Sequence, residues 1–126
     1  MIVKYQLILA IGSGGFLGAI SRVYATNFIN TAFISAISLG TLAVNLLGSF
    51  IIGVLYLYLS EYELARAFII AGFLGAFTTY STFALETYLL LDSSQIGYGI
   101  LNILANSIGS IVFVVLGFYF ARLLIA

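Results

Sequence analysis

Four long apolar stretches divide the sequence, and each is long enough to cross a membrane as an α-helix. They cover residues 5–25, 40–59, 65–91 and 97–124, with short polar or charged connections between them. About 20 helical residues span the hydrocarbon core of a bilayer. Backbone groups in lipid have to pair internally, so helices are expected, and the alternation of a membrane barrel strand is missing. The sequence therefore predicts an all-α integral membrane protein with four transmembrane helices, forming a single domain over residues 1–126.

The scarcity of charge excludes several other classes of protein. Only 6% of the residues are charged, whereas a soluble domain carries about 25%. Cysteine and histidine are both absent, so the chain has no disulfide, no thiolate nucleophile, no imidazole base and no soft metal ligand. An enzyme is therefore not expected. The net charge is zero, which gives no reason to expect a nucleic-acid partner.

The first apolar stretch is interpreted as a retained helix and not as a signal peptide, because no small-residue cleavage site follows it. Lys4, Arg66 and Arg122 fall on the side of the membrane that holds both termini, and Arg22, expected at the end of the first span, falls towards the other side. Positive charge favours the cytoplasmic side. The three-to-one bias thus favours cytoplasmic termini.

The third span carries five hydroxyl side chains in a row, at residues 78–82, close to its centre. Gly72 and Gly75 precede them, and each glycine lowers helix propensity by about 1 kcal/mol relative to alanine. Serine and threonine also compete for the hydrogen bonds of the backbone. We therefore predict a helix that is broken near the membrane midplane, where freed carbonyls could coordinate an ion. The alternative is an unbroken helix in which each hydroxyl bonds back to its own backbone.

Two further spans carry polar side chains at helical spacing. In the second span, Asn45 shares a face with Thr41 and Gly48, and this amide could simply join two helices. In the fourth span a row of polar side chains recurs every four residues, which favours a narrow wet path over helix contacts alone. The row consists of Asn102, Asn106 and Ser110.

The remaining candidates lie around the predicted break. Tyr80 and Phe83 are three residues apart, so their ring edges could face a path, although packing is the usual role of aromatics. Glu86 and Arg22 are ionisable groups that either serve the path or extend to the headgroups. The available ligands are amides, hydroxyls, ring edges and backbone dipoles, with no charge at the midplane. Such donors suit a small, strongly hydrated anion.

At these residues the sequence resembles the small fluoride channels called Fluc or CrcB. The resemblance covers essentially the whole chain. It is carried by "GGFLGAISR" in span one, "GTLAVNLLGSFIIG" in span two, "GAFTTYSTFALE" in span three and the polar row of span four. The motifs of spans two and three are specific when they occur together.

The resemblance implies a passive fluoride channel in the plasma membrane of a prokaryote, which lowers the toxicity of cytoplasmic fluoride. It implies an antiparallel, dual-topology homodimer within membrane lipid, with two fluoride pathways along the subunit interface. A structural sodium ion, which is not transported, is implied at the dimer centre, bound by the backbone carbonyls of Gly75 and Thr78. The implied pore-lining residues are Asn45, Tyr80, Ser81, Thr82, Phe83, Asn106 and Ser110, with Arg22, Glu86 and Asn102 nearer the vestibules.

The sequence departs from the family pattern at Tyr80, where the family usually has phenylalanine, so a hydroxyl donor is added beside the ring edge. Two other functions stay open at this point. A four-span multidrug exporter that exchanges protons for cations needs a carboxylate in span one, and this chain has none there. A non-conducting accessory subunit would use the polar residues only to join helices.

Overall fold

The computed structural model describes residues 4–125, and all regular elements in that range are helical. They are α1 (Tyr5–Ala32), α2 (Leu39–Tyr58), α3 (Glu63–Arg66), a π-helical segment (Ala67–Leu74), α4 (Gly75–Phe77), α5 (Tyr80–Asp92) and α6 (Ile96–Ile125). The third span comprises everything from Glu63 to Asp92. Together with α1, α2 and α6 it makes four helical segments that are long and apolar enough to cross a membrane.

The ends of the second, third and fourth spans lie within two residues of the predicted ones, but the first span is longer than predicted. It was expected to end at Ala25, with Arg22 at its end, whereas α1 continues to Ala32. The polar residues of this extension do not stop the helix, because the hydroxyl groups of Thr26 and Thr31 donate to carbonyls four residues earlier. Arg22 consequently lies inside α1.

Close glycine packing joins α1 to the third span. A Cβ atom on Gly14 would lie 2.1 Å from the carbonyl oxygen of Phe68, and one on Gly18 would lie 2.1 Å from that of Phe73. Only glycine fits at these two positions, since the backbone of the π-helical segment fills the space that a side chain would take. Small residues that let helix backbones approach are the usual basis of helix association in membranes.

The pairing of α2 with α6 follows the same rule and is the most extensive in the fold. A Cβ on Gly53 would lie 2.3 Å from the carbonyl oxygen of Val114, and one on Gly117 would lie 2.2 Å from that of Phe50. The two helices run in the same direction, because contacts progress along both chains from Asn45 with Asn106 to Gly53 with Val114.

The third span breaks after Phe77, as the hydroxyl-rich sequence predicts. Thr78 and Thr79 are extended, with ψ angles of 156° and 117°, and α5 begins at Tyr80. The side-chain oxygen of Thr79 accepts a hydrogen bond from the amide N–H of Thr82 at 3.2 Å. Thr79 is therefore the N-cap of α5, a position at which threonine is favoured.

Candidate functional site

The broken backbone is held by the side chain of Asn45 on α2. The Asn45 Oδ1 accepts from the Thr79 N–H at 2.7 Å, and the Asn45 Nδ2 donates to the Thr79 carbonyl at 3.1 Å. Both residues are 8% exposed. A buried backbone group without a partner costs about 1–3 kcal/mol, so one amide side chain stabilises both polar groups of the Thr79 residue that the break frees.

The Asn45 amide is itself the start of a chain of buried hydrogen bonds across three helices. The Asn45 Nδ2 also donates to the Asn106 Oδ1 at 2.9 Å, and the Asn106 Nδ2 donates to the Asn102 Oδ1 at 3.0 Å. The Asn102 Nδ2 donates to the Thr87 hydroxyl at 3.0 Å, and that hydroxyl donates to the Phe83 carbonyl at 2.8 Å. We call these residues the amide chain. Its donors all point the same way, which strengthens each bond through polarisation.

Beside the amide chain lies a cavity of about 320 Å³, here called the central cavity. Its lining contains hydroxyls, amides and aromatic rings but no charged side chain. The lining residues are Asn45, Ser49, Ile52, Thr78, Thr79, Tyr80, Phe83, Asn106, Ser107 and Ser110. The rings of Tyr80 and Phe83 meet edge to face, with centroids 5.3 Å apart, and both line the cavity. Such a lining can replace the water shell of an anion without binding it through a fixed charge.

A second cavity of about 450 Å³, the wide cavity, lies between the α1–α2 connection and the end of α5. Glu86 lines it, and its Oε1 accepts from the hydroxyl of Thr41 at 2.7 Å. Thr41 in turn accepts from the hydroxyl of Ser38, to which the Asn30 amide also donates. The Glu86 Oε2 is buried and has no hydrogen-bond partner within residues 4–125. Thr41 and Asn45 lie one turn apart on the same face of α2, so the partner of Glu86 and the residue that binds the break are neighbours on that helix.

Arg22 contacts the other side of the break. Its Nε donates to the carbonyl of Ala76 at 2.9 Å, at the end of the half-helix formed by residues 63–77. A guanidinium group at this position balances the negative end of the helix dipole.

The carbonyls around the break differ in their partners. Arg22 binds the carbonyl of Ala76, and Asn45 binds that of Thr79. Within residues 4–125, no side chain donates to the carbonyls of Gly75, Phe77 or Thr78, and no backbone N–H donates to that of Thr78. Carbonyl oxygens in this position can accept a further partner.

The structure brings five of the predicted pore-lining residues to the central cavity and places the others elsewhere. Those five are Asn45, Tyr80, Phe83, Asn106 and Ser110. Ser81 is exposed in the first turn of α5, and Thr82 helps to cap that helix. Asn102 is fully buried within the amide chain, and Glu86 lines the wide cavity.

Sequence reasoning missed Ser49 as a lining residue and Thr87 as the end of the amide chain. Ser49 was detectable, because it follows Thr41 and Asn45 at four-residue spacing on α2. Thr87 gave no comparable signal, since its role depends on a pairing between α5 and α6 that spacing within one helix does not reveal.

Comparison with known proteins gives a consistent result over nearly the whole length of the chain. The profile of a family described as "CrcB-like protein, Camphor Resistance (CrcB)" matches residues 9–118. A protein of Sulfurimonas denitrificans named "Fluoride-specific ion channel FluC" is 47% identical over 95% of this chain and 96% of its own length. A protein of the same name from Campylobacter jejuni is 50% identical over 79% of this chain and 84% of its own. "Fluoride-specific ion channel FluC 1" of Methanosarcina acetivorans is 45% identical over 87% and 86% of the two chains.

Proposed function

The chain belongs to the CrcB family, and from that premise we propose that it is a fluoride-specific ion channel that lets fluoride leave the cytoplasm passively. It is a multi-pass membrane protein, and its matched relatives are prokaryotic. The observation that carries the proposal is the central cavity, which lies beside the mid-span break and is lined by neutral donors. Conduction requires binding that is favourable and yet weak enough to release the ion.

The path joins the wide cavity to the central cavity. Fluoride enters the wide cavity beside Glu86, passes the ring of Phe83 near the break, and reaches Ser110 in the central cavity. Asn45 and Asn106 support this path by fixing the break that faces it. Arg22 supports it from α1 by holding the Ala76 carbonyl, and its positive charge attracts an anion towards the break.

The proposal includes an antiparallel homodimer that is completed by a structural sodium ion. The carbonyls of Gly75 and Thr78 fit such an ion, since neither accepts from a side chain and carbonyls of interrupted membrane helices are known sodium ligands. One copy supplies only two of these oxygens, whereas two copies that meet at their breaks supply four. When bound, the ion would neutralise the carbonyl dipoles and fix the two breaks against each other, and it is not itself transported.

Neither of the alternative functions has support from a specific observation. The α1 helix carries no carboxylate with which a multidrug exporter could exchange protons. For an accessory subunit, a cavity lined by donors beside a broken helix would have no use.

Purified protein in liposomes tests the proposal. Fluoride trapped inside should leave rapidly down its gradient once charge is balanced by an ionophore, while trapped chloride should stay. A fluoride-selective electrode and a chloride electrode measure the two ions. Fluoride release that requires a proton gradient, or equal release of chloride, would refute a passive fluoride channel.

A further inference from the structure

The central cavity contains a pair of facing hydroxyls on α2 and α6. Asn45 and Asn106 hydrogen-bond to each other across these helices, 61 positions apart in sequence. Ser49 and Ser110 each lie four residues further along, so they have the same separation. The helices run in parallel and stay in close contact beyond this level, at Gly53. The two serines are therefore opposite each other, one turn beyond the amides, and both line the central cavity.

The hydroxyls of Ser49 and Ser110 are free. Neither forms a hydrogen bond with any residue in the described range of 4–125. Elsewhere in the helices the hydroxyls of Ser13 and Thr87 donate to carbonyls four residues earlier, at 2.7 and 2.8 Å. Serine in a helix normally has this internal partner available. A half-buried hydroxyl that does not use it can donate to whatever occupies the cavity.

The amides beside them are not free in this way. Both N–H groups of the Asn45 side chain are used, one by the Thr79 carbonyl and one by Asn106. The Nδ2 of Asn106 donates to the carbonyl and to the side-chain oxygen of Asn102. An anion could bind to either amide only if a buried hydrogen bond were broken, which costs about 1–3 kcal/mol.

We propose that Ser49 is an anion-binding residue of the pathway and that, together with Ser110, it donates hydrogen bonds to a single small, strongly hydrated halide. This inference rests on the proposed function and identifies the side chains that donate hydrogen bonds to the transported ion. The asparagines build the site, and the serines contact the ion. Two neutral hydroxyls that can rotate give charge-assisted hydrogen bonds to the ion and release it when their O–H groups turn away.

Fluoride efflux from liposomes with Ser49→Ala tests the assignment. We expect the rate to fall about tenfold, the scale of one lost hydrogen bond to a charged group. Ser49→Thr keeps the hydroxyl and should conduct within about twofold of the unsubstituted protein, within the spread expected for small structural changes. Ser13→Ala is the matched control, because that hydroxyl bonds only within α1, and its efflux should not change.

The double variant Ser49→Ala/Ser110→Ala tests whether the hydroxyls share one ion. Residues that act on the same ligand are not additive. The combined loss should therefore be clearly smaller than the product of the two single losses. A loss equal to that product would overturn the shared site.

A single cysteine gives a readout that does not depend on hydroxyl chemistry, because the chain has no other cysteine. Ser49→Cys should react with a small, water-soluble thiol reagent, and the reaction should stop fluoride efflux. An unreactive cysteine would show that the cavity is dry and would overturn the inference, as would normal efflux in Ser49→Ala. If the unsubstituted protein released no fluoride at all, the proposed function would fall, and the inference with it.

Discussion

The amide of Asn45 forms one hydrogen bond with the N–H of Thr79 and one with its carbonyl, at 2.7 and 3.1 Å. A side chain on α2 therefore supplies the two hydrogen bonds that Thr79 would form within an unbroken helix. This explains how polar backbone is tolerated at the centre of a membrane span. It also makes the break depend on a residue that is distant in sequence.

Replacing Asn45 with alanine should destabilise the protein by several kcal/mol, because the N–H and the carbonyl of Thr79 would both lose their partner, at roughly 1–3 kcal/mol each. Thermal unfolding of the purified protein in detergent measures the effect. Asn27→Ala, on the exposed surface of α1, is the control and should melt like the unsubstituted protein. An Asn45→Ala protein with an unchanged melting temperature would contradict this account of the break.

The far end of the amide chain predicts a second effect. Thr87→Val keeps the shape of the side chain but removes the hydroxyl that accepts from Asn102 and donates to the Phe83 carbonyl. The side-chain amide of Asn102, which is 0% exposed, would then have lost an acceptor, and this loss should lower the free energy of unfolding by about 1–3 kcal/mol. Thr31→Val changes an exposed hydroxyl that bonds only within α1, and it serves as the control. Equal stability losses in the two variants would argue against the chain.

Phe83→Ile should stop fluoride efflux without preventing assembly. Isoleucine is apolar and fills a similar volume, so packing survives, but the aromatic ring at the central cavity is lost. Size-exclusion chromatography checks assembly, and the liposome assay checks transport. Tyr80→Phe keeps the second ring and should still conduct. Normal conduction by Phe83→Ile would remove that residue from the path.

Two glycine substitutions on α1 should have opposite effects. A Cβ on Gly18 would lie 2.1 Å from the Phe73 carbonyl oxygen, so Gly18→Ala should separate the helices and sharply reduce the yield of folded protein. A Cβ on Gly12 meets nothing within 4 Å, so Gly12→Ala should be neutral or stabilising by up to about 1 kcal/mol. Detergent-solubilised yield and melting temperature measure both. A well-folded Gly18→Ala would contradict the packing described here.

Removal of sodium tests the proposed cation site, which consists of backbone carbonyls and so cannot be deleted by substituting side chains. An ion that binds only the folded protein stabilises it by about 2.7 kcal/mol when its concentration is a hundred times its dissociation constant. The melting temperature should therefore fall when sodium is replaced by a bulky organic cation at equal ionic strength, and it should recover when sodium is restored. A melting temperature that does not depend on sodium would exclude the ion.

The sequence predicts much of this fold because a membrane restricts which backbone structures can cross it. The lengths of the second, third and fourth spans follow from apolar length, and the break at Thr78 and Thr79 follows from the clustering of hydroxyls. What the sequence could not show is which groups pair. Asn102 and Asn106 were grouped with Ser110 on spacing alone, but only the packing of α2 and α5 against α6 shows that the amides are occupied and the hydroxyl is free. Likewise, the polarity of the residues from Thr26 onwards predicts a connection between spans, and only the structure shows that their hydroxyls bond within the helix.

The amide chain, which begins at the Asn45 side chain bound to Thr79, connects the start of α5 to Thr87, about two turns further along, through α2 and α6, and every step is buried. A segment anchored in this way has little freedom to swing, because any movement of α5 that opened or closed the route would break buried hydrogen bonds. A cell that carries such a protein would then set its rate of halide loss by the number of copies it makes, and not by opening and closing each one.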